Sequence, residues 1–242
     1  MWSFLMNTKV VIPGRLSSTR LPNKLLKEIN GIPVLAWVIK AASDAVGSEN
    51  VILATEDEAL ARVADKFKVE HIITGPAKTG TDRIAIANKS IGADFIVNVQ
   101  GDEPFIEPSE ISKVFELISK GDFDVIGCYC PTRDRSNKNI PKVVIAPDGR
   151  LIYMSRADIP GSKNSVERYA LKKQVCIYGF RKAVLEHFSS CIEKTPLEKI
   201  EDIEILRFLE LGYRVDMIEV KDSIVAIDTA SDLERARLHA HI

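Results

Sequence analysis

From Lys9 to Cys130 the chain alternates short apolar runs with helical patterns, and that alternation leaves few folds open. KVVIP (9–13), NVILAT (50–55), VEHIIT (69–74), DFIVNVQ (94–100) and FDVIGCYC (123–130) read as buried strands. Between them, IPVLAWVIKAASDAV (32–46), DEALARVADKF (57–67), DRIAIANKSI (82–91) and PSEISKVFELISK (108–120) carry the helix period. Strands and helices alternating at this spacing predict an α/β fold. Its sheet is mostly parallel, Rossmann-like, and covered by helices on both faces. Such sheets bind ligands beyond the carboxyl ends of their strands. Polar clusters fall at that edge, after VVIP, ILAT, HIIT and IVNVQ.

The second half has a different pattern. KVVIAPDGRLIYMS (142–155) reads as a hairpin turning at Pro147-Asp148-Gly149. KKQVCIYGF (172–180) and YRVDMIEV (213–220) read as strands, and KAVLEHFSSC (182–191) as a helix. EKIEDIEILRFLELG (198–212) reads as one helix ended by Gly212, and TASDLERARLHAH (229–241) as a last helix opening on Thr229, Ser231 or Asp232. With no repeat, low-complexity tract or linker, the chain reads as one unit, 1–242, with a smaller, more antiparallel C-terminal lobe.

A net charge of −1 argues against a general grip on nucleic acid. No apolar stretch approaches the roughly 20 residues of a membrane span, and residues 1–12 lack a signal-peptide pattern, so a cytoplasmic protein is expected. Cys128 and Cys130 have no matching Cys/His pair elsewhere, which favours buried thiols over zinc ligands. The histidines show no ligand or triad spacing.

VIPGRLSSTRLPNK (11–24) places Arg15, Arg20 and Lys24 among hydroxyls and backbone amides directly after the first strand. Amides and hydroxyls can bond phosphate oxygens while the cations offset the charge, so a polyphosphate site is one reading and a solvated basic loop the other. Neither a Walker spacing nor GxGxxG is present. In NVQGDEP (98–104) a strand delivers Asp102 and Glu103 to the sheet edge, either as a plain acidic loop or to hold Mg²⁺ against phosphate. In KTGTDR (78–83), Thr79 or Thr81 can cap a helix whose first turn holds Asp82. Asp228, in VAIDTASDL (225–233), is by itself more often a cap than a ligand.

Taken in order along nearly the whole chain, VIPGRLSSTRLPNK, LATEDE, KTGTDRIA, NVQGDEP, YMSRADIP, CIYGFR and IDTASDLERAR resemble the CMP-Kdo synthetases. These are the 3-deoxy-manno-octulosonate cytidylyltransferases, Kdo being 3-deoxy-manno-octulosonate. The resemblance implies a nucleotidyltransferase-type sheet and Mg²⁺-dependent transfer of CMP from CTP to Kdo, for lipopolysaccharide. It implies that Arg15, Ser18 and Lys24 hold the triphosphate, that Ala54, Thr79 and Arg83 line the cytidine site, and that Asp102 and Asp228 bind metal. Gln100, Arg156, Tyr178 and Glu204 would meet the acid sugar. Residues 1–130 would mainly bind CTP, and 131–242 would mainly bind sugar and form a homodimer.

Departures from the family pattern fall mostly on the sugar side. Gly14 and Asn23 stand where the family usually has alanine and glycine, Gln174-Val175-Cys176 where it has His-x-Gly, and Ile205 where it has glutamine. An isoleucine cannot keep a glutamine's hydrogen bonds, so a different acceptor acid, such as 8-amino-Kdo or a nonulosonic acid, is the nearest alternative. A sugar-1-phosphate nucleotidyltransferase fits the order of motifs less well. A non-catalytic regulator would be expected to have lost Asp102 or Asp228.

Overall fold

The computed structural model describes residues 6–161, 163, 171–222 and 226–240. The expectations for the first five residues, for 223–225 before Asp228 and for His241 lie outside them. The elements follow the chain as β1 (Thr8–Gly14), β2 (Glu28–Ile29), β3 (Ile32–Pro33), α1 (Val34–Val46), β4 (Val51–Thr55), α2 (Glu58–Lys66), β5 (Glu70–Ile73) and α3 (Gly80–Ile91). Next come β6 (Phe95–Val99), α4 (Pro108–Ser119), β7 (Val125–Thr132), β8 (Lys142–Ile145), β9 (Leu151–Ser155) and β10 (Leu171–Arg181). The chain closes with α5 (Lys182–Ser190), α6 (Pro196–Glu201), α7 (Ile205–Glu210), β11 (Val215–Glu219) and α8 (Ala230–His239).

The main sheet runs β11-β7-β10-β6-β1-β4-β5, with the β8–β9 hairpin attached to β10. β6, β1, β4 and β5 pair in parallel, as do β11 and β7. β10 lies antiparallel to both β6 and β7, and the attached β8–β9 hairpin is antiparallel as well, so the sheet is parallel on either side of β10 and antiparallel at β10 and the hairpin. β1, β4 and β6 are buried on both faces, which explains their unbroken apolar runs. One face packs Leu35 and Ile39 of α1, Leu60 of α2, Val114 of α4 and Leu233 of α8. The other packs Ile84 of α3, Leu185 and Phe188 of α5, and Leu206 and Phe208 of α7.

Local signals set most boundaries. Thr79 caps α3 by accepting from Asp82 N–H at 3.1 Å, and Gly92 ends the helix with φ 68°. Thr229 caps α8 in a reciprocal box with Asp232. The hairpin turns at Pro147-Asp148-Gly149, Gly149 holding φ 84°.

Two expectations change. Ile32–Pro33 leave the first helix and pair with Glu28–Ile29 as a short ladder. The single helix over 198–212 is two, α6 and α7, because Asp202 takes the left-handed conformation at φ 52°. Arg156 explains the break: its Nε donates to Glu201 O at 2.6 Å and a terminal nitrogen to Asp202 O at 2.9 Å. Those carbonyls are thereby satisfied outside any helix.

Candidate active site

The loop after β1 is built rather than merely solvated. Leu21 and Leu25 are buried in the core, and Leu16 N–H donates to Asp57 Oδ2 at 2.8 Å. With the apolar side chains turned inward, Arg15, Ser17, Ser18, Thr19, Arg20 and Lys24 line a cleft of about 730 Å³ together with Lys138, Asn139, Arg156 and Asp202. Asn23 has φ 56°, a left-handed conformation in which asparagine replaces glycine at modest cost, so that departure is accommodated. At Gly14 the room for an alanine methyl is already taken up, with Leu60 Cδ1 3.2 Å and Leu53 Cδ1 3.3 Å from the Cβ position.

An adjoining cleft of about 240 Å³ lies over the carboxyl ends of β1 and β6 and the start of α3. Arg15, Lys24, Lys78, Thr79, Gly80, Arg83, Gln100, Asp102, Lys194 and Glu204 are on its walls. At one end two carboxylates converge. Lys24 Nζ donates to Asp102 Oδ2 and, at 3.2 Å, to Asp228 Oδ1, which also accepts from Arg20 at 2.9 Å. The backbone sets this convergence, since Ile227 N–H donates to Asp102 O at 2.9 Å. Burial alone would lower the Lys24 pKa, but Asp102 and then Asp228 outweigh it and hold the ammonium above its ordinary value.

The donor set suits Mg²⁺. Two hard carboxylates face one cationic position, and no set of three or more acidic, histidine or cysteine side chains forms a protein cage among the described residues. Mg²⁺ characteristically takes one or two carboxylates and completes its shell with phosphate and water.

At the other end, Glu204 accepts from the N–H groups of Gly80 (3.3 Å) and Thr81 (2.8 Å), where the α3 dipole is positive. Arg83 is almost fully buried beneath. It donates to Thr74 Oγ1 at 2.6 Å and to Gly75 O at 3.0 Å, and pairs with Glu56 at 3.0 Å. It therefore ties together the loops after β4 and β5.

Arg156 lines the wider cleft. Among the described residues its guanidinium donates to the backbone carbonyls of Lys138, Asn139, Glu201 and Asp202, and its charge also acts on the nearby Glu201 and Asp202 carboxylates, helping to lower the pKa of both. Two expected site residues lie elsewhere. Ala54 is fully buried in the core, and Tyr178 is buried with its ring stacked at 6.1 Å on Phe180; neither lines either of these two clefts. Burial first, then the nearby Cys176, Glu204 and Glu103, push the Tyr178 phenol up, keeping it protonated, and its oxygen accepts from Gln174 Nε2.

Ile205 is buried in the apolar cluster beside Leu206 and Phe208, where its side chain packs as part of the core. Cys128 and Cys130 are both buried, and burial pushes the Cys130 thiol up to about 12. The cleft also holds residues that the sequence did not single out: Lys78, Lys138, Asn139, Lys194 and Asp202. Lys138 and Asn139 sit in a polar run before the hairpin. Asp202 was hidden inside what reads as an unbroken helix.

The geometry has clear counterparts. A structure described as CMP:2-keto-3-deoxy-manno-octonic acid synthetase complexed with CTP superposes with a TM-score of 0.90 at 29% identity, covering 97% of this chain and 98% of its own. The 3-deoxy-manno-octulosonate cytidylyltransferase of Acidobacterium capsulatum is 37% identical over 231 residues, 94% of each chain. That of Synechococcus elongatus is 36% identical over 236 residues, 95% of this chain and 96% of its own. A 4-diphosphocytidyl-2C-methyl-D-erythritol synthase structure, at 14% identity and a TM-score of 0.66, shares the fold alone. The family model described as Cytidylyltransferase matches residues 9–219, a span holding every cleft residue named above and lacking only Asp228 of the converging carboxylates, so this chain belongs to the cytidylyltransferase family.

Proposed function

We propose that this chain transfers CMP from CTP to Kdo, releasing pyrophosphate, as a Mg²⁺-dependent cytidylyltransferase. The observation that carries the reading is the convergence of Lys24, Asp102 and Asp228, from three distant segments, at the end of a polar cleft. The similarity to Kdo cytidylyltransferases over nearly the full length supports the choice of acceptor.

Arg15, Ser18 and Lys24 hold the triphosphate. When it occupies the cleft, Lys24 and Arg20 exchange their carboxylate partners for phosphate oxygens, leaving Asp102 and Asp228 to hold the metal. Bound Mg²⁺ would neutralise charge that develops on the phosphates. Thr79 and Arg83 form the cytidine side, with Ala54 as packed floor. Gln100, Arg156 and Glu204 form the sugar side, where the Arg156 fork suits the ulosonate carboxylate, and Tyr178 backs them from the core. The anomeric hydroxyl oxygen bonds the α-phosphorus in line, the bond to pyrophosphate breaks, and the hydroxyl proton is released. Such an enzyme would work in the cytoplasm, where CTP is made, would feed lipopolysaccharide synthesis, and would act as a homodimer, a state that light scattering measures.

Pyrophosphate release from CTP tests the reading, with Kdo, 8-amino-Kdo and N-acetylneuraminate compared in the presence of Mg²⁺ and of EDTA. Kdo-dependent release that EDTA abolishes and Mg²⁺ restores is expected. Release with another acid alone would move the acceptor, and no release with any acid would overturn the proposal.

A further inference from the structure

Behind the cleft lies a buried ionic cluster that the reaction scheme does not use. Arg207 is fully buried, and its Nε and one terminal nitrogen each donate to a Glu198 oxygen at 2.6 Å. Its other terminal nitrogen donates to Asp82 Oδ1 at 3.3 Å and to Phe188 O at 3.1 Å, and the guanidinium sits 3.7 Å over the Phe188 ring. Asp82 in turn fixes Thr79: the threonine hydroxyl donates to Asp82 Oδ2 at 2.9 Å and accepts from Asp82 N–H at 3.1 Å. A hydroxyl has one proton and two lone pairs. With the proton committed to the Asp82 carboxylate oxygen, the capacity that Thr79 keeps for a ligand is that of an acceptor.

We propose that the Arg207–Asp82–Thr79 chain selects the nucleobase, by making the Thr79 oxygen an acceptor that pairs with the exocyclic amine of cytosine and repels the O4 carbonyl of uracil. Cytosine presents a donor at that position and uracil an acceptor, so a hydroxyl free to rotate would serve either base, whereas one locked by a carboxylate serves cytosine. Arg207 is a positioning residue here: it holds the Asp82 carboxylate aimed at Thr79, while the Glu204 side chain, three residues earlier, accepts from the backbone N–H groups of the same α3 turn. The inference rests on the proposed cytidine side of the cleft and adds to it a basis for choosing among pyrimidines.

The test is the ratio of kcat/KM for CTP to that for UTP, with Kdo as acceptor, alongside calorimetric binding of both nucleotides without acceptor. In Asp82→Asn the new amide can donate to Thr79 and release its proton towards the base, so the ratio is expected to fall about tenfold or more, the worth of one reversed hydrogen bond. Thr79→Val should lose the same preference while leaving the Arg207–Asp82 pair in place, and Thr79→Ser should retain it. Arg207→Lys should lower the ratio in the Thr79 background and leave it unchanged in Thr79→Val. A purely structural cluster would lower the melting temperature and weaken both nucleotides equally. A ratio unmoved in Asp82→Asn or, should that variant fail to fold, in Thr79→Val would overturn the inference. Because the wild type is assayed first, its failure to use CTP and Kdo would instead count against the proposed function.

Discussion

Two ionic clusters of nearly the same composition, each a basic side chain between two carboxylates, differ in what surrounds them. Around Lys24 the side chains of Lys24, Asp102 and Asp228 are 16%, 25% and 32% exposed; around Arg207 those of Arg207, Glu198 and Asp82 are 0%, 0% and 8% exposed. Water at the first cluster screens the charges, so partners can be exchanged at small cost. In the second, separated charges would have no solvent to turn to, and the arrangement is fixed. Burial rather than residue type separates a set of groups that can trade partners with a substrate from one that holds the scaffold.

If that distinction is right, the two clusters should fail differently. Asp102→Asn should lower kcat by about 10³-fold, roughly 4 kcal/mol of transition-state stabilisation, yet change unfolding free energy by less than about 1 kcal/mol. Arg207→Met should do the reverse in weight, removing about 3–5 kcal/mol of stability in urea titration by leaving Glu198 and Asp82 buried without their cation. A large stability loss in Asp102→Asn would erase the distinction. Lys24→Met should raise KM for CTP about 10- to 100-fold, 1.4–2.7 kcal/mol, and flatten its dependence on salt, since a cation that passes to phosphate is lost.

The smallest effect sharpens the wider cleft, around Arg156. Burial would raise the Glu201 pKa, but hydrogen bonds from the Ser155 hydroxyl, the Arg156 N–H and the Tyr153 hydroxyl outweigh it and leave it lowered. A depressed folded pKa contributes stability that is present above the unfolded value and lost as pH falls through the folded one. Glu201→Gln should therefore cost stability at pH 6 and show a shallower loss on acidification below about pH 4.5, measured by denaturant titration at each pH.

The sequence exposed some of this and concealed the rest, for identifiable reasons. The parallel core was legible because β1, β4 and β6 are buried on both faces and read as unbroken apolar runs. The helix caps at Thr79 and Thr229 were legible because their partners lie three residues away. The break at Asp202 was not, because the group that stabilises it, Arg156, lies 46 residues earlier in the chain. The packing of Ile205 was not legible either, because motif order says nothing about which face of a short helix a residue occupies. Nor could periodicity place Lys138 and Asn139 opposite the loop after β1, since that proximity is tertiary.

The antiparallel strand β10 also sets a timetable for the chain as it leaves the ribosome. β1, β4, β5 and β6 can pair as soon as Val99 is made, but the other edge of β6 is covered only by β10. Among the described strands, β7 joins the β6 side of the sheet through that same strand, and β11 lies beside β7 and is tied to the β8–β9 hairpin by Met217 N–H donating to Gly149 O at 2.9 Å. Until Leu171–Arg181 emerges, the nascent chain carries an open parallel edge beside an unplaced β7, the exposure that invites misassembly. The loop after β1 is thus among the first parts of the cleft to be framed, and Glu204 among the last.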